Sequence, residues 1–253
     1  MNIFKVESML RKAGMHQVTV ISHARVPIVK CYYKLFDCWL DINVGHSLGV
    51  YNSALLCEFT RLDSRVKPLI MLIKKWAKVR AVNDPSSNTL SSYAYSLMAI
   101  GYMQHVGLLA SLQIGLEDCE VISVPEITTT KLKKLRMRNV NISFHQSSST
   151  NICDVWGAGG AGDLFLFFME YFGNTYKFNS SNQISVYHGG IGEFDALKGN
   201  RKLVVVDPFE RDRNCTSGAS DAGLGVVRRE FRRVLHVLSM SGSIDQVFDT
   251  FGK

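Results

Sequence analysis

At Ser53 the hydrophobic pattern of this 253-residue chain changes period, and that change constrains its fold more than any other feature. Before it, apolar residues come in short runs: "HQVTVIS" from His16, "ARVPIVKCYY" from Ala24 and "CWLDINV" from Cys38. Runs of this length rich in Val, Ile, Tyr and Trp predict β-strands, with Pro27 at an edge or a strand start. One helix leads in over residues 3–13, where Ile3, Val6, Met9 and Leu10 fall at helical spacing and Gly14 is placed to cap the end. After Ser53, "ALLCEFTRLDSRVKPLIMLIKKWAKVR" carries helical texture, with a break expected near Pro68 and a strongly periodic run from Leu69 to Arg80. A polar turn, "NDPSSNT", feeds a long apolar helix from about Leu90. The expected class is α/β (α+β), with a partial sheet domain over residues 1–52 and a mainly helical domain over 53–253.

Residues 117–151 are polar and irregular, hold the basic run "KLKKLRMRN", and predict a surface excursion. "GDLFLFFMEYF" resumes a buried helix, "QISVYH" and "KLVVVDPFE" predict strands, and "GLGVVRREFRRVLHVLS" predicts an amphipathic basic helix. A net charge of +7 favours polyanionic partners such as nucleic acid or nucleotides. No apolar run approaches the roughly 18–20 residues of a membrane span, and the first residues lack the marks of a signal or transit peptide, so a cytoplasmic location is the default, with nuclear and mitochondrial homes left open. Six cysteines without a C-x-x-C pair read as reduced thiols, and seven histidines without ligand spacing give no zinc site. "GAGGAG", Gly157 to Gly162, matches a dinucleotide-binding pattern, but no convincing strand leads into it and no strand ending in an acid follows about 20 residues on, so it reads as a loop.

Three features carry chemistry. Lys74 and Lys78 are four apart on one helical face, where two ammonium groups repel unless solvated or bridged by an anion. Ser92 and Tyr93 lie in the first turn of the next helix, with Asn88 or Thr89 as the expected cap; free N–H groups there suit an anion, and the ring can stack on a base. Asp207 ends a strand before Pro208, so that it and Glu210 can face a cleft and accept from a base, or stand as a solvated turn.

"ARVPIVK", "DINVGHSLGVYNS", "RVKPLIMLIKKWAKVRAVNDPSSNTLSSYAYSLM", "GDLFLFFMEYFG" and "VVVDPFERDRN" together resemble the cytoplasmic poly(A) polymerases and terminal uridylyltransferases of the DNA polymerase β-like nucleotidyltransferases. The resemblance runs from about residue 4 to 240, with a PAP-associated region at about 160–240. It implies addition of ribonucleotides, UTP or ATP, to an RNA 3′ end by two-metal catalysis with Mg²⁺ or Mn²⁺, by a monomer whose RNA choice a protein partner can set. By position it implies that Asp41 is the third catalytic carboxylate and a metal ligand, Asn52 a ribose contact, Lys74 and Lys78 triphosphate contacts, Ser92 a phosphate contact, Tyr93 the stacking ring, and Asp207 and Glu210 the acids near the base. Arg213 stands where the uridylyltransferases place a histidine; as a pure donor it suits uracil O4 better than adenine's amine. RNA contacts are expected from Lys131, Lys133, Lys134, Arg136 and Arg138, and from Arg228, Arg229, Arg232 and Arg233.

The family's Gly-Ser turn and D-x-D pair have no counterpart before Asp41, where only Glu7 and Asp37 are acidic. "SGSID" at 241–245 imitates the turn without a D-x-D after it. Two ions need paired acids to hold them about 3.5–4 Å apart, so the expectation is a truncated copy inactive alone. The competing expectation is a catalytically dead RNA-binding or scaffold subunit.

Overall fold

The computed structural model describes residues 2–22, 26–116, 120–125, 137–146, 159–194, 197 and 201–250. It divides into two compact units, Met1–Ser53 with Glu120–Ile142, and Ala54–Cys119 with Ser143–Lys253.

The first unit begins with α1 (Ile3–Lys12), whose N-cap Asn2 accepts a hydrogen bond from Phe4 N. Gly14 ends it in the left-handed conformation (φ 77°), and Met15 N–H closes onto the Leu10 carbonyl, satisfying an orphan acceptor of the last turn. β1 (His16–Ile21), β2 (Ile28–Tyr33) and β3 (Cys38–Asn43) form an antiparallel sheet in that order. Alternation along the strands sends Val18, Val29 and Cys31 into a core with Val6 of α1, and Leu40 and Ile42 pack against it. The expected irregular excursion holds a second sheet instead: β4 (Val121–Pro125) pairs antiparallel with β5 (Met137–Asn141). The β-branched run "VISV" was its sequence signal.

In the chain, α2 (Leu48–Leu62) starts ahead of Ser53. α3 (Val66–Val79) follows, so the break falls at residues 63–65 and not at Pro68. Pro68 sits in the first turn of α3, where a missing N–H leaves no intrahelical bond unmade. Asp63 makes the break by accepting from Arg65 N and pairing with the Arg65 guanidinium at 2.7 Å. α3 buries Leu69, Ile73, Trp76 and Ala77 on one face.

α4 (Ser92–His105) is buried from Ala94 to Gln104. α5 (Ala161–Glu170) runs into a π-helical turn at Tyr171–Thr175. β6 (Gln183–Ser185), β7 (Gly190–Gly192) and β8 (Val204–Val206) make a mixed sheet in the order β7-β6-β8, with β6 parallel to β8. The strand expected through His188 stops at Ser185 because Gly189 and Gly190, both at positive φ, reverse the chain into β7. α6 (Asp221–Ser241) ends on Gly242 (φ 64°), and α7 (Ile244–Val247) follows, so "SGSID" is a helix cap and a helix start.

The core of this unit is aromatic. Trp76 stacks on Phe231 at 5.1 Å and meets Tyr95 edge-on, and Phe168 and Phe172 close around Phe231. At its margin Glu230 accepts from Arg80 (2.9 Å) and Arg233 (2.7 Å), while those arginines also donate to the carbonyls of Asp249, Gln246 and Val247.

Candidate functional site

Within the second unit the nucleotide-binding candidates lie on α3, on α4 and at the end of β8. Lys74 and Lys78 are exposed on α3, opposite its apolar face. α3 closes at Ala81, left-handed at φ 53°, as Val82 N–H bonds the Ala77 carbonyl. The turn that follows is built on Asp84. Its carboxylate accepts from Ser86 N, Ser86 Oγ and Ser87 Oγ, which hold it below the usual carboxylate range. Thr89 Oγ closes the same turn on the Asp84 backbone. Asn88 and Thr89 are therefore occupied in the turn, and the α4 cap is Ser91, which accepts from Ala94 N at 3.1 Å.

Ser92, the first residue of α4, accepts from Asn83 Nδ2 at 2.8 Å. An accepted bond leaves the Ser92 hydroxyl proton free to donate toward an anion at the helix start. Asn83 had no sequence signal beyond its place in a turn. Tyr93 is half-buried, and its hydroxyl is the buried end, without a hydrogen-bond partner of normal geometry among the described residues. Burial pushes the phenol far above its usual value; the nearby Asp207 carboxylate and Cys215 thiol add to this and the Arg213 guanidinium opposes it. The exposure Tyr93 retains lies away from its hydroxyl.

Asp207 and Glu210 do not stand free in a cleft. They are 1% and 7% exposed, and Arg213 Nη1 bonds both, at 3.2 Å to Asp207 Oδ2 and 2.9 Å to Glu210 Oε2. Asp207 Oδ1 also accepts from the backbone N–H groups of Phe209 and Glu210. Gln113 Nε2 fastens the Pro208 carbonyl from α4's side of the unit at 3.1 Å. Arg213 thus folds back onto the two acids, an arrangement forced by the cost of burying two carboxylates without a cation.

In the first unit Asp41 is exposed on β3, directly across from Lys30 on β2. Lys30 extends instead over the Trp39 ring, 5.2 Å from its centroid. Asn52 on α2 is half-buried, with Oδ1 buried and lacking a hydrogen-bond partner, an acceptor that a ribose hydroxyl could satisfy. Among the described residues no group of three His, Cys, Asp or Glu side chains comes together to hold a metal ion. Asp41 offers a single carboxylate, and the described residues do not amount to a complete two-metal site.

Of the basic candidates, Lys131, Lys133, Lys134 and Arg136 lie outside the described residues, as do Gly157 and Ala158 of "GAGGAG", whose last two residues, Ala161 and Gly162, open α5; Arg138 is placed in β5 by its backbone only. The α6 quartet does not act as one cationic strip. Arg233 pairs with Glu230, Arg232 donates to the Gly173 carbonyl at 2.8 Å, and Arg228 lies over the Phe178 ring. Arg229 and Arg232 are the exposed members of the four, and neither makes an ion pair among the described residues.

Residues 1–61 match the family described as the central palm domain of mitochondrial-like poly(A) RNA polymerase. The chain is 28% identical to the Poly(A) RNA polymerase cid11 of Schizosaccharomyces pombe over 251 residues, covering 96% of this chain and 48% of the relative. It is 32% identical to the Poly(A) RNA polymerase GLD2-A of Xenopus laevis, covering 82% and 39%. Against the Terminal uridylyltransferase cid1 of Schizosaccharomyces pombe the identity is 26%, covering 90% and 60%. The chain thus spans about half or less of the length of the first two relatives. Its fold matches the Cid1 RNA terminal uridylyl transferase with a TM-score of 0.76 at 24% identity, covering 99% of this chain and 76% of that one. The same fold, solved as the Cid1 poly(U) polymerase with Mg and 3′-dATP bound, gives 0.75 at 22% identity, covering 99% and 77%. A likeness at this identity establishes the mixed α+β nucleotidyltransferase fold. No helix among the described residues is long and apolar enough to cross a membrane.

Proposed function

We propose that the chain, similar over residues 1–61 to the central palm domain of mitochondrial-like poly(A) RNA polymerase and over most of its length to poly(A) RNA polymerases and a terminal uridylyltransferase, serves template-independent addition of ribonucleotides to an RNA 3′ end. The observation that carries the reading is the setting of Tyr93. Its hydroxyl is buried beside Asp207 and Arg213, while its neighbour Ser92 opens a helix and keeps a proton to donate. A ring whose polar end is buried, set just after an anion-binding helix start, suits a nucleotide, with base on ring and phosphate on helix. Lys74 and Lys78 then meet the triphosphate, whose charge removes their mutual repulsion. In the first unit, taken by itself, Asn52 Oδ1 would suit a ribose hydroxyl and the exposed Asp41 would suit the proton of an attacking 3′ hydroxyl.

Asp207 and Glu210 act in this reading through Arg213. They hold its guanidinium by Nη1, and its remaining N–H donors suit a carbonyl such as uracil O4 over an amine. That favours UTP over ATP. The triphosphate would arrive with Mg²⁺, as in the Mg-bound Cid1 complexes. A cytoplasmic setting accords with a fold match to a cytoplasmic RNA terminal U-transferase.

A second reading, an RNA-binding or scaffold subunit without catalysis, is favoured by Asp41 standing outside any group of three possible metal ligands among the described residues. One experiment separates the two: labelled RNA primer, Mg²⁺ and each NTP, with the Asp41→Ala variant alongside, and NTP affinity measured by calorimetry. Extension abolished by Asp41→Ala supports catalysis. Extension that survives the substitution sinks the role of Asp41. No extension, with NTP binding that Lys74→Ala weakens about tenfold, supports the second reading, and no NTP binding at all refutes the nucleotide site.

A further inference from the structure

The face of the first sheet turned away from α1 carries chemistry that nucleotide binding leaves unused. We propose that this face is a platform for single-stranded RNA, on which Trp39 and Tyr32 stack bases and Lys30 holds a phosphate, leading the strand toward Asp41. The inference deepens the tailing reading by naming the surface that would grip the primer, and rests on that reading only for the direction of the strand.

The register places these residues. Tyr32 pairs directly with Trp39 and Lys30 with Asp41, so all four project from the same face, while Val29, Cys31, Leu40 and Ile42 project to the α1 side. Trp39 is 51% exposed. The Tyr32 and Trp39 rings are 5.5 Å apart and tilted by 56°, so they do not cover one another; Lys30 Nζ lies over the Trp39 ring at 5.2 Å, and a base stacking there would meet it as a cation beside its phosphate. The Tyr32 hydroxyl is tied to the Asp37 carboxylate, which fixes its ring without using the ring face. Trp39 and Asp41 are two residues apart on β3, roughly 7 Å, a separation on the scale of one nucleotide.

Charge selects the occupant. The first unit holds eleven lysines and arginines against five acids, a net +6, which leaves +1 for the second unit. A covering protein segment would bury Lys30 and Asp41 without compensation. An RNA strand offers phosphates to Lys30, releases counterions from a strongly positive unit, and stacks on any exposed ring regardless of base.

The test uses the full chain and a 5′-fluorescein single-stranded 10-mer RNA, read by anisotropy without NTP. Trp39→Ala should weaken binding about tenfold, Trp39→Phe should keep most of it, and Lys30→Met should reduce the slope of log K against log salt by about 0.7. Thermal unfolding of each variant should match the parent, because Trp39 and Lys30 lie outside the core. Parent-like RNA affinity in Trp39→Ala overturns the platform. So does equal affinity for duplex RNA of the same length, or a change in oligomeric state in place of RNA binding. NTP affinity of the same variants should be unchanged; loss of RNA binding with NTP binding intact supports the platform, whereas absence of NTP binding in the parent chain sinks the nucleotide reading alone.

Discussion

Removing Arg213 should unsettle the second unit, because it takes a shared cation from two buried carboxylates. Arg213→Ala deletes the 2.9 Å and 3.2 Å bonds from Nη1 to Glu210 and Asp207, which are 7% and 1% exposed. Breaking one side of a fully buried ion pair costs about 3–5 kcal/mol. The Arg213 side chain is 25% exposed, so solvent screens part of the interaction. Two backbone N–H groups also remain on Asp207 Oδ1. The expected loss is therefore about 2–3 kcal/mol. Glu210→Gln in the same chain removes one of the opposed charges and should return about 1 kcal/mol. Urea unfolding followed by near-ultraviolet circular dichroism, run as a double-mutant cycle, measures both quantities. A loss below about 0.5 kcal/mol would put the ion triad among ordinary surface pairs. A Glu210→Gln substitution that adds to the damage would refute the account of opposed buried charges.

Gly223→Ala should destabilise the second unit by about 1–3 kcal/mol, since a Cβ there would lie 2.0 Å from the Asn88 carbonyl oxygen; thermal unfolding checks it, and the turn before Ser92 should shift with it. Ala81→Gly should stabilise by about 0.5–1 kcal/mol, because Ala81 holds φ 53° at the end of α3; an unchanged urea midpoint would refute it. Glu230 is pushed up by burial, but its bonds to Arg80 and Arg233 outweigh that and leave it below its usual value. A depressed carboxyl adds stability above its unfolded value and loses it as pH falls through the folded one. Unfolding from neutral pH down to about pH 3 should therefore show a loss in the parent that Glu230→Gln lacks, the variant being weaker at pH 7 and nearly level with the parent in acid.

The parts of the fold that local chemistry governs were legible in the sequence. Strand alternation gave β1, β2 and β3, Gly14 gave the end of α1, and spacing alone put Lys74 and Lys78 on one exposed face. Where two local rules compete, tertiary context decided. Pro68 reads as a breaker until the helix is known to start at Val66, and then it is an ordinary first-turn residue. The α4 cap was expected at Asn88 or Thr89 and falls at Ser91, because Asp84 occupies Thr89 in the turn before. The pairing of Arg213 with Asp207 and Glu210 was hidden because burial of an acid is a property of the packed unit, not of "DPFERDR" itself.

Hydrogen-bonding capacity left unused separates the residues that hold the structure from those able to act on a ligand. Asp207 and Glu210 are buried carboxylates already served by Arg213 and by backbone N–H groups, so a base could recruit them only by displacing partners that keep them solvated in effect. Arg232 and Arg233 are similarly engaged with Gly173 and Glu230. Asp41 is exposed and Lys30 turns from it to Trp39; Asn52 Oδ1 is buried without a donor, and Ser92 accepts one bond with its proton still to give. The first group can be changed only at a cost in stability, whereas changes at Asp41, Ser92, Lys74 or Lys78 should alter ligand binding while the fold stands. A melting temperature lowered by Asp41→Ala or Lys74→Ala as much as by Arg213→Ala would erase that distinction and, with it, the physical reason for placing function at the second group.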